Sequence, residues 1–267
     1  MKNRFACSVY LFLLFIFPLV RGEAMAEKEI PPRESIPILL YHRFGPVVAD
    51  SMTMPISVFE SHLQFLHDNE YKVIAIRELV DNYFKHGIPP NPRSVAITVD
   101  DGHISVYSEM FPLIKKYRIP VTLFLYPSAI SNASYTMNWE QLRKMKDTGL
   151  FDFQSHSYWH PNFKKEKEKL KLAEYEKFVE MQLKKSKETL EKNLISRVDM
   201  LAWPFGIYDG WLMAKAIEAG YGAAFTIDRR QAILSDQMMA LPRFLLTSKD
   251  RGKVFARILA EGQPKRK

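Results

Sequence analysis

The chain has 267 residues, of which 47% are hydrophobic and 25% are charged, and its formal net charge is +8. This composition excludes an intrinsically disordered chain, and the length suits one large α/β domain without requiring a second. Much of the charge lies in an alternating run of Lys and Glu, so the basic balance does not indicate a nucleic-acid partner.

The amino-terminal segment predicts export. Basic residues precede the apolar run Val9–Val20, and Ala24 and Ala26 are small residues at the specificity positions of a cleavage site. The run is shorter than the roughly 20 residues that a membrane-spanning helix needs, which favours a signal peptide over an anchor. We expect residues 1–26 to be removed and residues 27–267 to form one domain without a transmembrane span. The expected location is the periplasm, or secretion to the cell envelope.

From Ile36 onward, short apolar runs alternate with amphipathic segments, which predicts βα units around a parallel sheet. The predicted strands are Ile36–Leu40, Val73–Ile76, Val95–Val99, Val121–Leu125, Phe151–Gln154, Met200–Trp203, Ala223–Thr226 and Leu241–Leu245. The predicted helices are Ser57–Asn69, Arg77–His86, Ser105–Tyr117, Trp139–Thr148, Lys164–Asn193, Asp209–Ala219 and Ser248–Ala260.

Two of these helices carry more specific patterns. Ser57 and Glu60 have capping-box spacing, which predicts a helix start. In the segment Lys164–Asn193, Lys and Glu residues surround an apolar stripe that includes Leu170 and Leu172. This pattern favours one long helix with a solvated face over a nucleic-acid or membrane-binding segment.

Two adjacent carboxylates follow a predicted strand. Asp100 and Asp101, in Thr98-Val99-Asp100-Asp101-Gly102, emerge at the carboxyl end of that strand, where barrel enzymes place their sites. A plain turn explains the same letters, because Asp and Gly are ordinary turn formers. Adjacent carboxylates repel each other, and a cation beside them would offset that repulsion. The spacing leaves open which carboxylate would bind a metal and which would act as a base.

A pair of histidines follows another predicted strand. His156 and His160 are spaced so that both imidazoles reach one ion if the segment turns helically, although such pairs also arise by chance. With an aspartate they would make an open site for Zn²⁺ or a similar divalent ion acting as a Lewis acid. A thiolate site is excluded, because the only cysteine, Cys7, lies in the predicted signal peptide.

In this order, the motifs resemble those of the polysaccharide deacetylase family with the NodB-homology domain, also called carbohydrate esterase family four. The resemblance covers essentially the whole mature chain. It implies an α/β fold, a distorted (β/α)7 barrel, that removes N-acetyl groups from a polysaccharide bearing N-acetylglucosamine. It also implies that Asp100 is the catalytic base. The implied metal ligands are Asp101, His156 and His160, for Zn²⁺ or alternatively Co²⁺ or Ni²⁺.

The third family motif departs from the usual pattern. Ala202 stands where many members have an arginine that orients the catalytic aspartate. The segment from Ala202 to Gly206 resembles instead the subgroup that acts on poly-N-acetylglucosamine, as does Leu39–Phe44. By this resemblance the Phe205 N–H helps bind the oxyanion and Trp203 lines the sugar groove. The structural alternative is a packed aromatic followed by a turn.

Two further residues are candidates for the site. The usual fifth-motif histidine is absent from residues 245–250, so another acid must protonate the leaving amine. His42 follows the first predicted strand on the same barrel face as Asp100, and the resemblance implies it as the general acid; the alternative is a strand-end histidine without a catalytic role. Arg243 could orient a carboxylate or bind substrate from a late strand, or form a surface ion pair.

The sequence therefore predicts an exported, metal-dependent polysaccharide deacetylase whose partner is its polysaccharide substrate. No nucleic acid is expected, and protein partners are unassigned. One alternative is a deacetylase of peptidoglycan, chitin-type or O-acetylated glycans. Another is a non-catalytic carbohydrate-binding protein, but such a protein would have no chemical need for Asp100 together with three metal ligands.

Overall fold

Parallel strands form the centre of the molecule, a computed structural model that describes residues 35–260. The predicted signal peptide, its cleavage after Ala26, and Cys7 lie outside the described residues. The strands are β1 (Ser35–Ile36), β2 (Ile38–Tyr41), β3 (Arg43–Gly45), β4 (Thr53–Pro55), β5 (Lys72–Ile74), β6 (Ser94–Asp101), β7 (Val121–Leu125), β8 (Phe151–Ser155), β9 (Met200–Ala202), β10 (Ala223–Phe225), β11 (Ala232–Ile233) and β12 (Phe244–Leu245).

Eight strands form one parallel sheet, in the order β10-β9-β8-β7-β6-β2-β12, with β5 paired to the first half of β6. The chain before β12 also contacts the far edge of this sheet. The Leu241 N–H donates to the Ala224 carbonyl at 2.8 Å, and Phe244 then pairs with Leu39 of β2. One short segment therefore bonds to both ends of the sheet and curls it. The predicted α/β class and distorted parallel barrel are confirmed.

Helices cover the outside of the sheet. They are α1 (Ile56–Asp68), α2 (Ile76–Glu78), α3 (Phe111–Tyr117), α4 (Trp139–Lys146), α5 (Phe163–Lys169), α6 (Leu172–Leu194), α7 (Gly210–Glu218) and α8 (Lys253–Ala260). Wider π-helical turns, Leu79–Phe84 and Val106–Met110, continue α2 and lead into α3. Within residues 35–260, no helix is long and apolar enough to cross a membrane.

The capping-box prediction for α1 is wrong. The helix begins at Ile56, with Pro55 as its N-cap and no side-chain hydrogen bond to the first turn. Because β4 runs directly into α1, Ser57 already lies inside the first turn and has no role as a cap. The residue types at Ser57 and Glu60 suggested an N-cap, but the end of β4 at Pro55 determines where α1 begins.

The prediction of one long helix over 164–193 is also wrong. The chain breaks between α5 and α6 at Leu170, whose backbone is extended with φ −101° and ψ 145°. The Lys171 N–H then donates to the Glu174 carboxylate at 3.0 Å, which satisfies a donor at the start of α6. Leu172 is 76% exposed and does not belong to an apolar stripe.

Strand β6 carries the first carboxylate into the barrel. Ala96 belongs to the apolar cluster that fills the barrel, whereas Val95 and Ile97 belong to the layer between the sheet and the helices. Because successive side chains of a strand point to opposite faces, Asp100 falls on the same face as Ala96. Asp100 is 1% exposed. The pleat of one strand thus separates the environments of the two neighbouring aspartates.

Candidate active site and metal centre

Asp100 is held inside the barrel by Arg243. The guanidinium donates two hydrogen bonds, Nη1 to Oδ1 at 2.8 Å and Nη2 to Oδ2 at 2.7 Å, and Arg243 is 0% exposed. Arg243 Nε also donates to the Thr226 carbonyl at 3.0 Å. Burial by itself raises the pKa of Asp100. The positive charge of Arg243, with a smaller effect from His156, lowers the pKa by more than burial raises it, so the net pKa is below the usual value. The site therefore holds an ionised carboxylate.

Of the three roles considered for Arg243, this geometry supports the orientation of a carboxylate and excludes the other two. A surface ion pair is wrong, because the side chain is fully buried. A substrate-binding role is also wrong, because the bonds described from its guanidinium end on Asp100, Thr98 and Thr226. Arg243, which directly precedes β12, therefore supplies the positive charge beside Asp100.

Asp101 ends β6 in a left-handed conformation, with φ 74°. Gly102 follows with φ 81°, and a Cβ there would lie 2.7 Å from Leu125 Cδ2, so only glycine fits without movement. The turn brings Asp101 Oδ1 to 3.6 Å from His156 Nε2 and 3.8 Å from His160 Nε2. Within the described part of the chain, this buried oxygen has no hydrogen-bond partner.

The two histidines converge without a helical turn, which corrects the sequence expectation. Ser157 and His160 both have positive φ, 60° and 61°, and their loop is irregular. The Ser157 hydroxyl accepts the His160 N–H at 3.2 Å. The two imidazole centres lie 4.6 Å apart at an interplanar angle of 65°. Left-handed residues therefore replace helical spacing in bringing the rings together.

The tautomer of His156 is set by its backbone partner. Its Nδ1 lies 2.8 Å from the Ala202 carbonyl oxygen, which can only accept, so Nδ1 carries the proton. The Nε2 lone pair is then left facing Asp101. Burial lowers the pKa of His156 to about 3, and burial also lowers the pKa of His160. Both rings are therefore neutral near pH 7, as metal ligands must be.

The residues present fit a divalent ion. One ligand atom each from Asp101, His156 and His160 lies within 4.8 Å of the others. Ligand bonds of about 2 Å to a common ion place neighbouring ligand atoms roughly 3 to 4 Å apart. Burial raises the pKa of Asp101, and the Asp100 carboxylate raises it further. A bound cation would offset this cost and satisfy the unpartnered oxygen.

His42 follows β2 and lies beside the carboxylates. Burial lowers its pKa, while the charges of Asp100 and Asp101 act in the opposite direction. Its Nδ1 is buried and, among the described residues, has no hydrogen-bond partner. A buried imidazole nitrogen without a partner is unusual in a purely structural histidine. The structure thus brings His42 to the same barrel rim as the aspartates.

Trp203 and Phe205 have opposite environments. Trp203 is 0% exposed, and its Nε1–H donates to the Met239 carbonyl at 2.9 Å. The expectation that Trp203 lines a sugar groove is therefore wrong, because the following chain covers the indole. Phe205 is 55% exposed and has φ 56°, and its ring lies 4.5 Å from that of His160. A bulky residue held at positive φ on the rim is typical of a functional site.

Sequence reasoning missed Tyr126. This residue directly follows β7, and its ring centre lies 5.5 Å from that of His160. Its hydroxyl lies 3.2 Å from that of Tyr135. The available signal was position: a residue with a polar tip at the carboxyl end of a barrel strand lies on the same rim as Asp101.

Comparisons with known proteins identify the family. A family model described as polysaccharide deacetylase matches residues 87–224. That range contains Asp100, Asp101, His156, His160 and Phe205, whereas His42 and Arg243 lie outside it.

Named relatives are enzymes of one kind. The chain is 29% identical over 194 residues to the poly-β-1,6-N-acetyl-D-glucosamine N-deacetylase of Staphylococcus epidermidis, covering 71% of this chain and 66% of that protein. The enzyme of that name from Staphylococcus aureus strain MRSA252 is 26% identical over 195 residues, covering 72% of this chain and 67% of the relative. The matches thus span about two thirds of the relatives' lengths.

Solved structures share the fold. The Streptococcus pyogenes deacetylase PplD, in complex with acetate, superposes with a TM-score of 0.76 at 22% identity, over 85% of this chain and 99% of that one. IcaB from Ammonifex degensii has a TM-score of 0.74 at 21% identity, over 86% and 98%. With the family model matching more than half of the sequence, the chain belongs to the polysaccharide deacetylase family.

Proposed function

We propose that this protein removes N-acetyl groups from an exported poly-N-acetylglucosamine-like polysaccharide, releasing acetate and leaving free amines. The carrying observation is the contrast between two neighbouring carboxylates: Asp100 is paired with Arg243, whereas Asp101 has an unpartnered oxygen facing two neutral imidazoles. The names of the staphylococcal relatives support the substrate class. The predicted signal peptide supports a site of action in the periplasm or cell envelope.

Asp101, His156 and His160 would hold the metal, which we propose to be Zn²⁺, with Co²⁺ or Ni²⁺ as alternatives. A divalent ion in this place supplies Lewis-acid activation of water and of the acetyl carbonyl. Asp100 acts as the base that takes a proton from the attacking water. Arg243 keeps this carboxylate ionised and fixes its direction, which removes the need for an arginine at Ala202.

Phe205 and His42, on the barrel rim, have the two remaining roles: stabilising the oxyanion and protonating the amine. The backbone N–H of Phe205 stabilises the oxyanion, since its positive φ turns the backbone of this segment at the side of His160. His42 protonates the departing amine. Burial lowers the pKa of His42, which makes its imidazolium a stronger acid toward the amine, while the charges of Asp100 and Asp101 act against this shift.

The experiment measures acetate release from N-acetylglucosamine oligomers by the mature protein, first treated with chelator and then supplied with Zn²⁺ or Co²⁺. We expect release only with metal, and loss of at least about a hundredfold in kcat in Asp100→Asn, as for removal of a general base. Asp147→Asn, an exposed aspartate at the end of α4, is the matched control and should keep full activity.

Assays on β-1,6-linked, chitin-type, peptidoglycan and O-acetylated substrates separate the competing glycans. A metal-loaded, folded protein that binds glycan but releases no acetate from any of them would contradict the proposal and favour the carbohydrate-binding alternative. Full activity of a folded His42→Ala variant would remove His42 from the mechanism.

A further inference from the structure

Two tyrosines lie beside the metal centre without a role in the steps above. Tyr126 is half-buried, and its ring contacts that of His160 at 5.5 Å between centres. Tyr135 is 50% exposed, and its hydroxyl lies 3.2 Å from that of Tyr126. The pair therefore continues from a metal-ligand candidate outward to solvent.

The exposed tyrosine lies on a backbone that is fixed to the site. The Tyr135 carbonyl accepts the Ile104 N–H at 2.8 Å, and the Met137 N–H donates to the Gly102 carbonyl at 3.0 Å. Thr136 between them bridges to His103 in antiparallel fashion. The chain around Tyr135 is thus bonded on both sides to the turn that follows Asp101. This exposed side chain is held in position by its backbone, and its ring is not needed to fill the core.

Phe205 contacts the same imidazole from another loop of the barrel rim. Its ring centre lies 4.5 Å from that of His160, and Phe205 is 55% exposed. His160 therefore contacts two aromatic rings, Phe205 after β9 and Tyr126 after β7. Sugar rings bind proteins through apolar C–H faces and a periphery of hydroxyls, and tyrosine offers an apolar ring together with a polar tip.

We propose that Tyr126 and Tyr135 form a sugar-binding subsite, hereafter the tyrosine pair, for one N-acetylhexosamine unit of the polymer. The exposed ring of Tyr135 stacks on the sugar, and the paired hydroxyls exchange hydrogen bonds with its hydroxyl or acetamido groups. This inference deepens the proposed function and rests on it for the identity of the sugar. The tyrosine pair binds substrate and takes no part in proton transfer.

The test uses a β-1,6-linked N-acetylglucosamine pentasaccharide with the zinc-loaded protein. Tyr126→Phe keeps the ring beside His160 and removes only the hydroxyl, whereas Tyr135→Ala removes the exposed ring. We expect each to raise KM about three- to tenfold, the effect of one lost hydrogen bond or stacking contact, with a smaller change in kcat. Zinc affinity, measured by calorimetry, should stay within about twofold, because neither hydroxyl is a ligand.

A second measurement does not depend on turnover. In the Asp100→Asn background, the dissociation constant of the pentasaccharide should rise by the same factor when either tyrosine is changed. The matched control is Tyr117→Phe, which removes a hydrogen bond to Gln64 of 3.1 Å at the end of α3 and should leave both constants unchanged.

The outcomes separate the subsite from the catalytic proposal. Weaker binding in both variants, even without acetate release, would support the tyrosine pair while the proposed function fails. Unchanged KM and dissociation constant in two folded variants would overturn the subsite. A fall in kcat at constant KM would also overturn it, because the tyrosines would then act in the reaction itself.

Discussion

Replacing Arg243 by methionine tests the internal ion pair most directly. The substitution removes the bidentate partner of Asp100, leaving a carboxylate that is 1% exposed without its cation. Breaking a buried pair from one side costs about 3 to 5 kcal/mol, because the remaining charge is left uncompensated. For a domain of this size, that corresponds to a fall in Tm of roughly 6 to 20 °C. Deacetylation should be lost as well, since Asp100 would no longer be held ionised and in place.

The assay is urea unfolding in the presence of chelator, so that metal binding does not contribute to the free energy of unfolding. The double variant Arg243→Met with Asp100→Leu should recover most of the loss, because an apolar pair of similar volume carries no buried charge. Recovered stability without recovered activity would show that the Arg243–Asp100 pair is needed for catalysis and not for folding.

The matched control is Arg230→Met. Arg230 makes the same two-bond contact with Asp236, at 2.9 and 2.6 Å, but its side chain is 49% exposed. Removing it should cost less than removing Arg243, because the Arg230 side chain is half in solvent and Asp236, although 9% exposed, keeps its hydrogen bond from the Ile233 N–H. If Arg243→Met and Arg230→Met cost the same, the reasoning from burial is refuted.

Three further predictions concern stability and packing. Burial lowers the pKa of His62 from 6.5 to about 4. The contribution of the neutral His62 to the free energy of unfolding is therefore fully present above pH 6.5 and is lost as the pH falls toward 4. Between pH 7.5 and 4.5 the wild type should lose about 2 to 3 kcal/mol more than His62→Gln in urea unfolding, and equal losses would contradict this. Trp203→Phe should lower the free energy of unfolding by about 1 to 3 kcal/mol, because the hydrogen bond to the Met239 carbonyl is lost, and should leave KM unchanged. A raised KM with unchanged stability would instead support contact between the indole and the sugar. Gly102→Ala should cost about 1 to 3 kcal/mol and weaken zinc binding in calorimetry, because its Cβ would displace the turn after Asp101; wild-type affinity would refute that strain.

The sequence by itself determined the local elements and the residue types of the centre. Apolar runs such as Met200–Ala202 identify strands because a strand buried on both faces favours apolar residues at successive positions. The position of Asp100 and Asp101 at the end of one such run then predicts the rim on which they lie. The family resemblance added the division of roles between the two carboxylates, which spacing had left open.

The tertiary structure decided which distant side chains meet. Arg243 reaches Asp100 across 143 positions of sequence because the chain before β12 contacts both edges of the curled sheet. A local sequence pattern cannot predict a contact between residues so far apart in the chain. The sequence therefore left a buried carboxylate partner and a surface ion pair equally open for Arg243. The burial of Trp203 likewise depends on Met239, which reaches it only once the barrel curls.

The same limit applies to conformations that depend on neighbours. The histidines meet through left-handed residues at Ser157 and His160, a geometry that a four-residue spacing does not encode. Periodicity and capping patterns report the preferences of a short segment in isolation. The curled sheet and the loops bonded to it set the final backbone, and thereby bring Asp101, His156 and His160 together on one rim.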